Sequence, residues 1–307
     1  MPRHAHRVPL SAFALFLSFT YLHIHGVQAY STSVASKYKA PDCSTPAHVA
    51  ESWVKQDAAL LDFVGRKVPA VLDHTGATAF DEHLKGVQGV MRKWNASEHL
   101  VSAGLFHSIY GTEGFQGFCL PLSERDAIKD LIGPKAERMC WIFCMVDRFS
   151  VDQTVFEWLQ GRTDRETYIF RSRPELGRFE ISLSRDEWLD FIELTLGDWL
   201  EQVEGAAQSS SALFLWGKGE AYAYRRDAYH AMSKILSMVY PERLGTIVPS
   251  MVHDIYETEQ PETRNLVQPR TPPMSDAAKR ALEALRSAGE EIPKNMAPIP
   301  RDALAIS

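Results

Sequence analysis

The sequence predicts a mainly α protein, a helical bundle with a short β-hairpin insertion. Three observations lead there. Apolar residues recur at helical spacing through most of the chain between Pro46 and Val239. Only two neighbouring segments, "TYIFRSR" and "RFEISLS", read as strands. The sequence holds no glycine-rich phosphate loop, no GxSxG elbow and no internal repeat.

The elements follow in order. Thr45 caps a first helix, "PAHVAESWVKQDAALLDFVGRK". The loop "VPAVLDHTGAT" leads to a second helix, Ala79 to Trp94, with Phe80, Leu84, Val87, Met91 and Trp94 on one face. A third starts near Ser97 and ends at "FHSIYG", and a fourth runs unbroken through "PKAERMCWIFCMVDRFSV". After the hairpin, Ser184 and Glu187 form a capping box for "RDEWLDFIELTLGDWLEQV". "QSSS" breaks the chain, and a last helix spans Tyr222 to Val239.

Composition divides the chain further. Residues 1–29 have a basic start, an apolar run from Leu10 to Leu22 and small side chains before position 30, the layout of a signal peptide. Residues 30–44 form a transit or linker segment, and residues 45–259 the helical domain. Residues 260–307 are a proline-rich tail with one amphipathic helix, "SDAAKRALEALRSAG". The leader with its Ser- and Lys-rich continuation resembles the bipartite plastid-targeting leaders of algae with complex plastids. The expected destination is such a plastid or, by simple secretion, the endomembrane lumen or exterior. No stable membrane span is expected once the signal is removed. The net charge of -6 gives no electrostatic case for nucleic acid. Cys43, Cys119, Cys140 and Cys144 fit neither a disulfide scaffold nor zinc-finger spacing.

Chemistry enters through polar residues on apolar helix faces. His83 borders the buried stripe of the second helix. His107 shares a face with Leu100, Ala103 and Gly104, whose small members invite a close neighbour. Asp147 lines up with Ala136, Cys140 and Phe143. Taken singly, a histidine on an apolar face is more often a satisfied core residue, and Asp147 has arginines nearby to pair with. Together, the three helices each direct one potential metal ligand inward.

The order His83, His107, Asp147 resembles the HD superfamily, helical domains in which a His, a His-Asp doublet and a later Asp converge on divalent metal. The stretch from about His74 to Arg148, including "HTGATAFDEHLKGVQGVMRKWNASEHLVSAGLFHSIYGTEGF", is similar to an HD-like family defined as a domain of unknown function. The resemblance implies an HD-like helical bundle. It departs at Ser108, which stands where the doublet's acid belongs, so one metal ion is expected rather than two. His83, His107 and Asp147 would hold it, with His74 or Glu113 as a fourth ligand, and the ion would be Fe, Mn, Zn or Ni. Glu113 and Tyr110 are the candidate catalytic residues, and Lys85 and Arg148 the candidate substrate cations. The expected activity is metal-dependent hydrolysis of a phosphate ester or nucleotide-like small molecule. Two alternatives stay open: a mononuclear iron oxygenase of small-molecule metabolism, and a catalytically inactive binding or assembly module.

Overall fold

A computed structural model describes residues 33–67, 80–112, 120–161, 165–211, 214 and 216–267. The expected signal segment 1–29, His74, Glu113, Cys119 and the expected tail helix lie outside the described residues. The described chain is a mainly α bundle with one antiparallel hairpin. Its helices are α1 (Ala47–Lys67), α2 (Phe80–Lys93), α3 (Glu98–Phe106), α4 (Arg125–Ile132), α5 (Pro134–Met145) and α6 (Arg148–Leu159). After the hairpin come α7 (Arg185–Ala206), α8 (Arg226–Val239), α9 (Pro241–Leu244) and α10 (Ile247–Tyr256). Among the described residues no helix is long and apolar enough to cross a membrane.

The bundle is organised around α7. Residues 191–200 of this helix are buried without a break, as expected of a helix hydrophobic on every side. The capping box at its start is present: Ser184 Oγ accepts from Glu187 N at 3.2 Å, and Glu187 accepts from Ser184 N at 2.9 Å. Helices α2, α3, α5, α8 and α10 all pack against it.

Small residues set the closest approaches. A Cβ on Gly104 of α3 would sit 3.1 Å from the Gln88 backbone of α2. This confirms the close neighbour that Ala103 and Gly104 imply. A Cβ on Gly197 of α7 would collide with Met91 of α2. The chain is therefore thinnest where α2, α3 and α7 meet.

The hairpin joins β1 (Thr167–Arg171) to β2 (Glu180–Ser184), with Thr167 opposite Ser184 and Arg171 opposite Glu180. Alternation puts Tyr168, Phe170, Ile181 and Leu183 into the core. There Tyr168 stacks on Trp188 of α7, with ring centroids 4.2 Å apart.

The hairpin also explains one difference from the sequence reading. The fourth predicted helix is broken at Val146–Asp147 into α5 and α6. Val146 bridges to Ser172, and Asp147 N donates to Arg171 O at 2.8 Å. The strand end thus takes backbone groups that a continuous helix would have used. Helices α9 and α10 fall between the predicted helix that ends at Val239 and the expected tail helix, where the sequence reading placed none. The first residues after α10 are held down by Arg226, which donates to Arg264 O at 2.6 Å and pairs with Glu259.

Replacing Gly104 by valine puts a branched side chain against the α2 backbone. The expected result is a stability loss of about 1–3 kcal/mol, read by urea unfolding. Unchanged stability would mean that α2 and α3 have room to spare.

Candidate metal centre

Three side chains from three helices meet beside this thin point. His83 comes from α2, Asp198 from α7, and His107 from the residue that ends α3. One donor atom from each lies within 4.8 Å of the other two. His83 Nε2 is 3.2 Å from Asp198 Oδ1, and His107 Nε2 is 3.3 Å from the same oxygen. The imidazoles are perpendicular, with centroids 5.2 Å apart. His107 and Asp198 are buried, and His83 sits at the rim of the core.

Each ring is held from behind. His107 Nδ1 donates to Gly104 O at 2.8 Å, and His83 Nδ1 meets Glu201 Oε2 in a very short contact. A carbonyl only accepts, so the Nδ1 of His107 carries a proton. The Glu201 carboxylate imposes the same tautomer on His83. Both Nε2 atoms then face Asp198 as lone pairs whenever the rings are neutral. Lone pairs aimed at a carboxylate repel it, so the arrangement requires a cation: a further ring proton or a metal ion.

The electrostatics express the same demand. Burial pulls the His83 pKa down, but the hydrogen bonds and charges of Asp198 and Glu201 win and push it up to about 10. Burial pushes the Asp198 carboxyl up, yet the His107 and His83 contacts hold it well below the usual carboxylate range. Glu201 is likewise lowered, because His83 and Lys39 outweigh its desolvation.

The donor set fits a metal ion. Bonds of about 2.0–2.2 Å at tetrahedral angles place donors roughly 3.3 Å apart, close to both nitrogen–oxygen separations here. Metal-bound histidines also hand their other N–H to a carboxylate or a backbone carbonyl, and these two rings show one of each. Other buried acids are built differently. Glu137, Asp147, Asp152, Glu193 and Glu259 each pair with an arginine, namely Arg125, Arg178, Arg225, Arg243 and Arg226. Arginine keeps its proton, so those pairs are permanent. Asp198 instead faces two bases that can exchange protons for a metal.

The expected third ligand is corrected. Asp147 is not in the cluster: Oδ1 caps α6 by accepting from Phe149 N at 3.0 Å, and Oδ2 pairs with the buried guanidinium of Arg178. The helix break at Val146 turns this carboxylate into a cap. The HD resemblance falls with it. The closing acid is Asp198, and Ser108 is no substituted ligand; its Oγ is buried without a hydrogen-bond partner among the described residues.

The other predicted residues divide. Tyr110 is buried and donates to Glu137 Oε1 at 3.0 Å, so its hydroxyl serves the Arg125 pair rather than a reaction. Lys85 is exposed, and two residues after His83 it points to the far side of α2. Arg148 lies close by. Its guanidinium sits 3.9 Å from the Phe143 ring centroid, and that ring meets His107 edge-on at 4.9 Å. Its Nη1 is buried without a hydrogen-bond partner among the described residues. A cavity of about 330 Å³ opens beside α8, lined by Asp152, Arg225 and Arg226 among others, and none of the three cluster residues lines it.

Sequence reasoning missed Asp198 and Glu201. The available signal was an acid inside the most apolar part of "FIELTLGDWL", with a second acid three residues on.

Residues 63–148 match a family described as a domain of unknown function, DUF6817. The match spans well under half of the chain, covers His83 and His107, and stops short of Asp198. No curated protein and no solved structure matches the chain significantly.

Substitutions at the two acids should separate their roles. Asp147→Ala should cost about 3–5 kcal/mol by leaving Arg178 buried and unpaired, while metal binding in the folded fraction stays intact. Asp198→Asn should do the reverse, abolishing metal uptake measured by mass spectrometry with modest loss of stability. Equal effects of both on metal would put Asp147 back among the ligands.

Proposed function

We propose that the protein is a metal-dependent hydrolase acting on a small molecule with an anionic group, a phosphate ester or nucleotide-like compound. The centre is mononuclear, held by His83, His107 and Asp198. The observation that carries this reading is the pair of imidazoles whose Nδ1 atoms are tied outward while both Nε2 atoms face one carboxylate oxygen. Three protein donors with a position left for water are the pattern of catalytic rather than structural sites. His83, His107 and Asp198 would hold a divalent ion, which would supply Lewis-acid activation of water and of the bond to be cleaved.

The protein's own groups do the rest. Glu201 and the Gly104 carbonyl fix the ring orientations. Arg148 offers a spare donor one aromatic ring away from His107, which suits an anionic substrate group. Tyr229 lies within electrostatic reach of both Asp198 and Arg148 and is hydrogen-bonded by Arg225 Nη1 at 3.1 Å.

The donor set supports a second reading. Two histidines and one carboxylate are also the ligands of mononuclear iron oxygenases. Oxygen uptake by iron-reconstituted protein separates the two reactions.

Purified protein should carry about one equivalent of a divalent metal, and restoring Zn(II), Mn(II) or Fe(II) after chelation should restore hydrolysis of p-nitrophenyl phosphate or nucleoside monophosphates. Arg148→Met should raise KM on those esters about tenfold or more. Protein that binds no metal under any of these conditions would eliminate the reading.

Metal and proton compete for His83. With its pKa pushed up to about 10, the metal-free ring is protonated at pH 7 and must lose that proton on loading. Calorimetry in buffers of different ionisation enthalpy should therefore show proton release at pH 7, with apparent affinity rising as pH rises towards 10.

A further inference from the structure

The carboxylate that orients His83 is shared. Glu201 gives Oε2 to the imidazole and Oε1 to Lys39 Nζ, the latter at 2.6 Å. Lys39 lies on the segment from Ser33 to Asp42, which precedes the bundle and contacts α2, α7 and α10. Glu204, one turn beyond Glu201, receives Ser33 Oγ at 2.5 Å, Val34 N at 3.0 Å and Ala35 N at 2.9 Å. Ala40 N donates to Gly89 O of α2 at 2.9 Å, and Tyr38 donates to Asp254 of α10 at 2.8 Å. Asp42 closes the far end by pairing with Lys93.

Helix α2 is bare where this strap and Glu201 cross it. A Cβ on Gly86 would collide with the Glu201 carboxylate, and one on Gly89 would stand 3.0 Å from Ala40 O and 3.2 Å from Lys39 Cβ. Glycine weakens a helix interior, and the clearance needed here accounts for two glycines in four residues.

We infer that Lys39 acts on the metal centre by its charge, through Glu201, and that the strap sets how tightly the centre holds a divalent cation and how much positive charge it presents to an anion. The inference rests on the metal reading above. Asp198 and Glu201 carry two negative charges, which a divalent ion alone cancels. With the Lys39 ammonium docked, the loaded centre keeps one positive charge, suited to an anionic substrate. The same ammonium opposes the ion, so docking weakens cation binding while strengthening anion binding. Lys39 retains 29% exposure, whereas Glu201 retains 8%. The charge is thus partly screened by water but acts on a carboxylate that is not.

The test titrates Co(II) into the full chain as wild type, Lys39→Met, Lys39→Gln and Lys39→Arg. Affinity is read by chelator competition and the site by its visible absorption. Inorganic phosphate is then titrated into the cobalt-loaded proteins. Both neutral variants should bind Co(II) on the order of tenfold more tightly and phosphate on the order of tenfold more weakly, with Lys39→Arg close to wild type. Circular dichroism of the metal-free proteins establishes that each variant is folded, and the two neutral side chains give independent readings. Affinities that ignore residue 39 overturn the inference while leaving the metal centre standing. Weaker Co(II) binding in the neutral variants also overturns it, making Lys39 a mechanical prop for Glu201. A wild type that takes up no Co(II) removes the metal reading and this inference together.

Discussion

The structure turns on one carboxylate. Asp198 sits in the middle of a helix that is buried on all sides, where an uncompensated charge would cost several kcal/mol. Compensation comes from two imidazoles that share its Oδ1. For both to reach it, α2 must lie close to α3 and to α7. Gly104 permits the first approach and Gly197 the second. The helix spacing, the small residues and the ring orientations are thus consequences of placing one acid in the core.

From that acid the polarity alternates outward. Asp198 is negative, His83 is drawn positive, Glu201 is negative, and Lys39 is positive and partly in water. The other buried acids end in an arginine after a single step. The difference has a chemical meaning. An acid–arginine pair is closed, since the guanidinium does not titrate in any useful range. An acid facing imidazoles is open, because the proton it shares can be replaced by a harder charge. The first kind holds a fixed charge in place, and the second leaves a group that could coordinate a metal ion.

Arg148 joins these two systems. It belongs to the α5–α6 break that also diverts Asp147, and its guanidinium lies over the ring that abuts His107. The same interruption that removes one acid from the centre therefore brings a cation towards it. A continuous helix through Val146 would have put neither group where it is.

The helical class, the hairpin, the Ser184 capping box and the two histidines were legible in the sequence because each depends on local pattern. Period, cap and turn chemistry are set by neighbours in the chain, and His83 and His107 lie on helix faces that a wheel shows. The third ligand was not legible in that way. Asp147 and Asp198 are both acids on apolar helices, and the choice between them is made by distant partners. Val146 is captured by Ser172 of the hairpin, which makes Asp147 a cap beside Arg178. Asp198 is left as the acid the imidazoles can reach. Local sequence makes each acid a candidate, but each outcome is decided by a residue 25 or more positions away. Local sequence determined which side chains were available for chemistry, and long-range packing decided which of them meet.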